Sequence, residues 1–143
     1  MSVSDTIQDG VVALLVAGQA TFTVKRRKAG IKFKIDTMPL CLIEGGPITD
    51  EENVFGVYVI RRHTIRALLG FAGNQLLESG FSTMTNAEQL IRGLMLVTTI
   101  SGSLVWMSEM ASPVKPYDRS MLDKNYEWGV VEVDYKTTEP RNN

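Results

Sequence analysis

The sequence predicts an α+β fold, a single domain in which a mixed, largely antiparallel β-sheet packs against two or three α-helices. Three observations predict it. Apolar residues recur with a helical period near the N terminus, apolar and polar residues alternate in later runs, and no linker or repeat divides the 143 residues. A chain of this length can bury a core without disulfides or metal. Residues 1–143 are therefore one domain, with 138–143 predicted to be a flexible tail.

The segment 4–17 has the pattern of an amphipathic helix. Its apolar stripe consists of Ile7, Val11, Leu14 and Leu15. Ser2 or Ser4 can cap the first turn, and Gly18 is a natural stop. The chain is therefore expected to begin with a helix that buries one face.

Residues 21–35 are predicted to form a β-hairpin. Two runs in which apolar and polar residues alternate flank the loop 26–30, which contains a glycine. The apolar positions of these runs are Phe22, Val24, Ile31, Phe33 and Ile35. Alternation directs these side chains to the core and leaves the opposite side of the hairpin basic and solvated.

A continuously apolar segment, 39–43, predicts a more central strand. The glycines at 45–46 and Pro47 are expected to end it, because proline cannot donate to a ladder and glycine permits a turn. Residues 50–53 would then form an exposed acidic loop, followed by another strand at 54–60.

The second half predicts two helices and two strands. Residues 61–80 contain a helical stripe, although the start of this stretch could instead extend the preceding strand, and a second helix is expected after a cap at Asn86. Residues 104–110 and 127–137 predict strands, and 113–124 a loop. The last strand is predicted to point Val131, Val133 and Tyr135 to the core, and Glu132, Asp134 and Lys136 to solvent.

The charges form one basic cluster and one acidic group. The basic cluster places six of the 15 cationic residues within ten positions, and consists of Lys25, Arg26, Arg27, Lys28, Lys32 and Lys34. The acidic group consists of Asp50, Glu51 and Glu52. Both are candidate interfaces with a partner. Because the formal net charge is −1 and the flanking Phe22 and Phe33 point inward, we favour an acidic protein partner and expect at most non-specific contact with nucleic acid.

The residues of catalytic and metal sites are scarce. The single histidine, His63, follows two arginines and is expected at the surface or at a strand end, and the single cysteine, Cys41, is expected to be a buried thiol. One histidine and one cysteine cannot build a zinc site of nitrogen and sulfur ligands. No phosphate-binding loop pattern occurs. The sequence therefore predicts no enzyme activity, cofactor or metal.

The sequence carries neither a secretory signal nor a membrane span. The first ten residues include Asp5 and Asp9 but no lysine or arginine, unlike the start of a signal peptide. The longest uncharged stretch, between Arg92 and Glu109, is too short and too polar for a bilayer. We therefore expect a protein that is soluble inside the cell and has no membrane partner.

The order of elements resembles that of one viral family. After the N-terminal helix come Met38-Pro39-Leu40-Cys41-Leu42-Ile43-Glu44-Gly45 and, after a later helix, the closing strand Trp128-Gly129-Val130-Val131-Glu132-Val133-Asp134-Tyr135. This pattern, which extends over most of the chain, resembles the lambda-like tail terminator proteins of tailed bacteriophages. The basic cluster is stronger, and the region 62–100 more apolar, than the family pattern requires.

The resemblance implies a homohexameric ring at the head-proximal end of the tail tube, which ends tube polymerisation and joins the tail to the neck. The implied partners are copies of the same chain, the tail tube protein, a neck or stopper protein and, in a contractile tail, the sheath protein. The implied location is the virion, after assembly in the host cytoplasm. Because the basic cluster and the acidic group are opposite in sign, they could pair between adjacent subunits.

Three alternatives stay open from the sequence. Another neck protein, a head–tail connector or stopper, would share the assembly role. A small nucleic-acid-binding module using residues 25–34 would bind with a steep dependence on salt. An enzyme that uses His63 and a carboxylate ranks last, because no nucleophile, base and orienting group are assembled in the pattern.

Overall fold

The structure, a computed structural model, describes residues 2–27, 38–53, 56–111, 117–118 and 122–141. Within these ranges the chain forms α1 (Val3–Gly18), β1 (Thr23–Arg26), β2 (Leu40–Asn53), β3 (Tyr58–Phe71), α2 (Gln75–Glu78), α3 (Met84–Met95), β4 (Val105–Met110) and β5 (Glu127–Pro140). The predicted α+β class is confirmed.

The strands form one mixed sheet in the order β1-β2-β3-β5-β4. β1 runs parallel to β2, and the other three neighbouring pairs are antiparallel. α1 and α3 pack against one face of this sheet, here called the helix face, and the opposite side is the open face. The sheet is therefore largely antiparallel, as predicted, with β1 and β4 at its two ends.

α1 begins at the predicted place because Ser2 and Asp5 cap it reciprocally. The Ser2 hydroxyl accepts a hydrogen bond from the Asp5 N–H at 3.0 Å, and the Asp5 carboxylate accepts one from the Ser2 hydroxyl at 2.8 Å. The apolar residues that α1 buries are Ile7, Val11 and Leu15. The predicted helix 4–17 is confirmed.

The main core lies between the helix face and the two longer helices. The strands contribute Cys41, Ile43, Ile65, Ala67, Leu69, Phe71, Val131, Val133 and Tyr135 to it. The predicted inward positions of the last strand are therefore confirmed, as is the burial of Phe22 and Cys41. A smaller apolar cluster on the open face contains Leu40, Leu42, Leu68 and Leu122.

The helical interpretation of residues 61–80 is wrong for its first half. Residues 61–71 belong to β3, and only the single turn α2 is helical before residue 80. Near its end β3 is buried on both faces, with Leu68 toward the open face and Leu69 toward the helix face. A strand buried on both sides is continuously apolar, so its apolar positions also match a helical spacing.

Pro47 does not end β2, contrary to the prediction. The pairing of β2 with β3 shifts between Gly45 and Ile48, and the strand then continues to Asn53. Such a bulge accommodates a residue that lacks an N–H, because it leaves a ladder position unpaired. The predicted acidic loop 50–53 is therefore the distal part of a strand.

The chain end is also ordered differently from the prediction. Residues 138–140 belong to β5, and Glu139 is buried. The Arg141 N–H donates a hydrogen bond to the Val57 carbonyl at 2.8 Å. The predicted flexible tail 138–143 is wrong as far as residue 141, because the alternation of β5 continues beyond the predicted end at 137.

The cap of α3 and the pairing of β1 also bear on the predictions. Thr83, not Asn86, caps α3, and its hydroxyl accepts the Asn86 N–H at 3.2 Å. β1 confirms the first run of the predicted hairpin, and it pairs in parallel with β2. The second run, 31–35, lies outside the described residues, as does most of the predicted loop 113–124.

Candidate functional site

Two arginines of the basic cluster are held within the chain. Arg26 lies on the helix face, where its guanidinium forms ion pairs with Asp5 at 2.8 Å and Asp9 at 2.9 Å, both on α1. The Arg26 hydrogen bond lowers the pKa of Asp5 to about 2. Arg27 is buried, with its Nε 3.7 Å from a Glu44 carboxylate oxygen. Both residues attach β1 to its neighbours, but only Arg27 is withdrawn from the surface, because 36% of the Arg26 side chain is exposed.

The remaining members of the basic cluster are only partly described. Lys25 lies in β1 on the open face, because it pairs in register with Leu42. Lys28, Lys32 and Lys34 lie outside the described residues. The structure therefore places the described part of the cluster along one end of the sheet.

The acidic group pairs with arginines of β3. Asp50 accepts a hydrogen bond from Arg61 Nε at 2.9 Å, and Glu51 accepts one from Arg62 Nη2 at 2.7 Å. The cause is the register, which sets Asp50 directly opposite Arg61. Glu52 lies in β2, and its side chain is outside the described part of the chain. Asp50 and Glu51 thus already have cationic partners, and a basic segment of another subunit would have to compete with them.

Arg62 is the centre of an ion-pair network on the open face. Its guanidinium contacts the carboxylates of Glu51, Asp134 and Glu109, which lie on β2, β5 and β4. Lys136 adds contacts to Glu51 at 3.5 Å and to Glu109 at 3.9 Å. Hydrogen bonds that Arg62 donates to these carboxylates, first of all to Asp134, raise the pKa of Arg62. The network joins four strands through one side chain, and Asp134 is buried by it instead of being solvated as predicted.

His63 is buried, contrary to the predicted surface or strand-end position. Only 2% of the residue is exposed, because alternation along β3 puts it on the helix face with Ile65. Its Nε2 lies 2.7 Å from Glu139 Oε2, and Arg61 Nη1 lies 3.0 Å from Glu139 Oε1. Thr137 also donates a hydrogen bond to this carboxylate. Sequence reasoning missed this cluster because it assigned Glu139 to the tail, although the alternation of β5 continues through 137 and 139.

The Glu139 carboxylate has three side-chain hydrogen-bond partners in this cluster, Arg61, His63 and Thr137. The Thr137 hydroxyl donates its hydrogen bond to Glu139. His63 Nδ1 is buried and has no hydrogen-bond partner, so no described nucleophile is positioned for it to activate. A shallow cavity of about 360 Å³ lies beside the cluster, lined by Ser2, Val3, Ser4, Ile48, Arg61, His63 and Glu139.

Stability should depend on pH through Glu139. Burial acts to raise the pKa of this carboxyl, but hydrogen bonds from Thr137, His63 and Arg61 outweigh burial and hold the pKa below its ordinary value of 4.5. A lowered folded-state pKa contributes stability above the unfolded pKa, and that stability is lost as the pH falls through the folded value. We therefore expect Glu139→Gln to be less stable than the wild type at pH 7, with a difference that shrinks as the pH falls below the ordinary carboxyl pKa of 4.5.

Urea unfolding at several pH values measures this difference. Glu127→Gln, which changes an exposed carboxylate at the opposite end of β5, is the matched control. A free-energy gap between wild type and Glu139→Gln that stays constant from pH 7 to pH 3 would show that the carboxylate charge is not what stabilises the cluster.

Cys41 is a buried thiol, as predicted. The residue has no exposed surface, and burial raises the pKa of its thiol to about 12. Only a negligible fraction is thiolate at neutral pH, and thiolate is the form that attacks electrophiles or binds metal. Cys41 therefore packs as a small apolar side chain.

β4 presents an apolar strip at one end of the sheet. Within the described residues its only strand neighbour is β5, so the backbone groups on its outer side have no strand partner there. The exposed large apolar residues on and beside it are Leu104, Trp106, Met107 and Met110, with Met110 57% exposed. The predicted strand 104–110 is confirmed, but the sequence did not indicate that this strand would be at the edge.

The part of the chain that the structure describes contains no cluster of three or more histidine, cysteine, aspartate or glutamate side chains suited to hold a metal ion. None of its helices is both long and apolar enough to cross a membrane. No protein-family model matches the chain, and no curated protein matches it either.

Proposed function

We propose that this chain is a structural assembly protein that joins copies of itself into a closed ring. The ring sits at the head-proximal end of a bacteriophage tail tube, ends tube polymerisation and joins the tail to the neck. The observation that carries the assembly role is the apolar strip on β4. The assignment to a phage tail comes from the resemblance of the element order to tail terminator proteins.

The strip on β4 has the properties of a protein contact surface. Trp106, Met107 and Met110 are exposed within one six-residue strand, and Leu104 directly precedes it. Met107 lies on the open face, opposite Lys136, and Met110 on the helix face, opposite Val133, so exposed apolar side chains border this edge on both faces of the sheet. Exposed apolar surface on soluble domains marks interaction sites, and an edge strand adds a row of backbone donors and acceptors. A second protein chain can satisfy both the apolar and the hydrogen-bonding surface by adding a strand.

The arrangement of the sheet favours a ring over a symmetric dimer. Among the described strands its two ends differ, because β1 belongs to a parallel pair and carries Lys25 and Arg26, whereas β4 belongs to an antiparallel pair and is largely apolar. Two different ends permit a head-to-tail contact between copies. Such contacts close into a ring when a whole number of rotations from copy to copy completes one full turn. A ring has two distinct faces, one for the tube protein, or for the sheath in a contractile tail, and one for the neck or stopper protein.

The described ion pairs support a structural role, because those of Arg26, Arg61, Arg62 and Arg66 tie neighbouring elements together. His63 and Cys41, whose side chains could perform catalysis, are buried, and no described nucleophile hydrogen-bonds to the His63 imidazole. We therefore propose that the protein is not an enzyme and that it acts in the virion after assembly in the host cytoplasm.

Substitutions in the strip test this proposal. Trp106→Lys combined with Met110→Lys should prevent ring formation, because two ammonium groups would have to be buried in the contact between copies. The control exchanges two other exposed apolar residues, Val16→Lys with Leu77→Lys, whose side chains are 60% and 68% exposed on α1 and α2. Light scattering after size-exclusion chromatography measures the mass of each, and thermal melting checks that each is folded.

We expect the control to assemble as the wild type does and the strip variant to remain a folded single chain. A strip variant that forms rings as readily as the wild type would refute the role of β4. A control that also fails to assemble would point to a contact surface elsewhere on the molecule.

A further inference from the structure

We propose that the cavity beside His63, between the start of α1 and strands β2, β3 and β5, binds a small neutral molecule that carries a hydroxyl group, such as an alcohol or a phenol. The hydroxyl of the ligand donates a hydrogen bond to His63 Nδ1 and accepts one from the backbone N–H groups at the start of α1. This binding site is independent of the proposed ring and involves no reaction of the ligand.

The cavity has the size and lining of a site for a small molecule. Its volume is about 360 Å³, toward the lower end of the range of roughly 300–1,000 Å³ that ligand pockets occupy. Ile48 and Val3 contribute apolar surface, whereas Ser2, Ser4 and His63 contribute polar groups. A lining of this kind suits a compact apolar body with one polar group.

His63 supplies an acceptor that has no donor. Its Nε2 lies 2.7 Å from Glu139 Oε2, and the pKa of Glu139 is held below its ordinary value, so this carboxylate can only accept at neutral pH. In the neutral imidazole the proton is therefore on Nε2, and Nδ1 is an acceptor. Nδ1 is buried and has no hydrogen-bond partner in the described part of the chain. A buried acceptor of this kind gains free energy from a ligand that brings a donor.

The start of α1 supplies donors. The first N–H groups of a helix have no acceptor within the helix, and they lie at its positive end. In α1, the Ser2 hydroxyl accepts the Asp5 N–H and the Ser2 carbonyl accepts the Thr6 N–H. Val3 and Ser4 precede these two residues in the first turn, and both line the cavity. The α1 side of the cavity therefore favours an oxygen acceptor.

These two requirements select a neutral hydroxyl group. A hydroxyl donates and accepts through one atom, whereas a carboxylate only accepts and an ammonium only donates. Arg61 and Glu139, the charged residues that line the cavity, already bond to each other at 3.0 Å. Asp50 also bonds to Arg61, which disfavours an anion, and the positive end of α1 disfavours a cation. An ionic ligand of either sign would therefore bring an unbalanced charge into the cavity.

Nuclear magnetic resonance of the histidine ring tests the site. His63 is the single histidine, so the untagged chain labelled with ¹⁵N-histidine gives ring-nitrogen signals from this residue alone. The ligands are phenol, toluene, which has a methyl group in place of the hydroxyl, and acetate. We expect phenol to shift the Nδ1 signal saturably while the ring stays neutral, and to bind roughly tenfold more tightly than toluene because of its hydrogen bonds.

Two tryptophan substitutions locate the bound phenol. Ile48→Trp enlarges a side chain of the cavity wall that is 51% exposed, so it should block the cavity and abolish the shift of the Nδ1 signal. Val57→Trp is the matched control, because Val57 is 67% exposed and does not line the cavity. This control should respond to phenol as the wild type does. Thermal melting checks that both variants are folded, and the comparison of phenol with toluene needs neither of them.

Several results would overturn the inference. Equal affinities for phenol and toluene would mean that the hydroxyl is not recognised. Acetate binding that protonates both ring nitrogens, in the absence of a response to phenol, would identify an anion site instead. No saturable shift up to the solubility limit of phenol would mean that the cavity binds no such ligand, and an unchanged response in Ile48→Trp would place phenol elsewhere on the molecule.

Discussion

Replacing Arg62 by alanine is expected to lower the free energy of unfolding by about 3 kcal/mol, the largest single effect on stability outside the apolar core. Arg62 contacts three carboxylates, on β2, β5 and β4. One of them, Asp134, has only 6% of its side chain exposed. Removing the guanidinium leaves this carboxylate buried, with Thr64 as its remaining described hydrogen-bond donor. An uncompensated buried charge costs far more than a lost surface pair.

Chemical denaturation monitored by tryptophan fluorescence gives this free energy. Arg92→Ala is a suitable control, because Arg92 lies in the last turn of α3, where its loss should cost no more than about 0.5 kcal/mol. A cost for Arg62→Ala below about 1 kcal/mol would place the network among ordinary surface ion pairs. In that case the four strands would be held together by their backbone hydrogen bonds and the core alone.

Replacing two helix glycines by alanine should change the stability of the protein in opposite directions. A Cβ at Gly10 in α1 would lie 2.1 Å from Ile100 Cγ2, a side-chain atom of a buried residue. A Cβ at Gly93 in α3 would meet nothing within 4 Å. Alanine favours a helix by about 1 kcal/mol relative to glycine, whereas overpacking a core costs about 1–3 kcal/mol. Gly10→Ala should therefore be less stable than the wild type, and Gly93→Ala more stable.

Thermal melting of both variants beside the wild type shows which substitution lowers stability and which raises it. The expected separation between them equals the overpacking cost, about 1–3 kcal/mol in the free energy of unfolding. Stabilisation by both substitutions would mean that Ile100 moves away from α1 at little cost. That outcome would contradict the close contact between this helix and the segment before β4.

The elements that the sequence predicts well are those with one buried face. α1 has a stripe and a capping pair, and the last strand alternates from Val131 to Tyr135, so local pattern and tertiary burial agree. β3 fails as a prediction at residues 61–71, because it is covered on both sides and its pattern has no single period. The prediction for β2 fails at the bulge at 45–48. Glycine and proline usually end a strand, but here the strand continues beyond them.

The candidate site depends on sheet order, which a single sequence does not determine. Nothing in the local pattern of residues 105–110 indicates that this strand is at an end of the sheet, and an apolar strand of the same composition would be buried at the centre. His63 and Glu139 lie on two neighbouring strands, β3 and β5, but are 76 positions apart in the sequence. The basic cluster was visible in the sequence, but its arginines are used within the chain because α1 and Glu44 lie next to β1.

Electron microscopy of the purified wild-type chain, combined with its native mass, tests the central claim most directly. The proposed tail terminator ring, whose six copies come from the family resemblance, predicts ring-shaped particles with a mass of six times the 15.9 kDa of one chain. Particles that are only monomers, or only twofold dimers, at every concentration would contradict a ring assembled through the β4 strip.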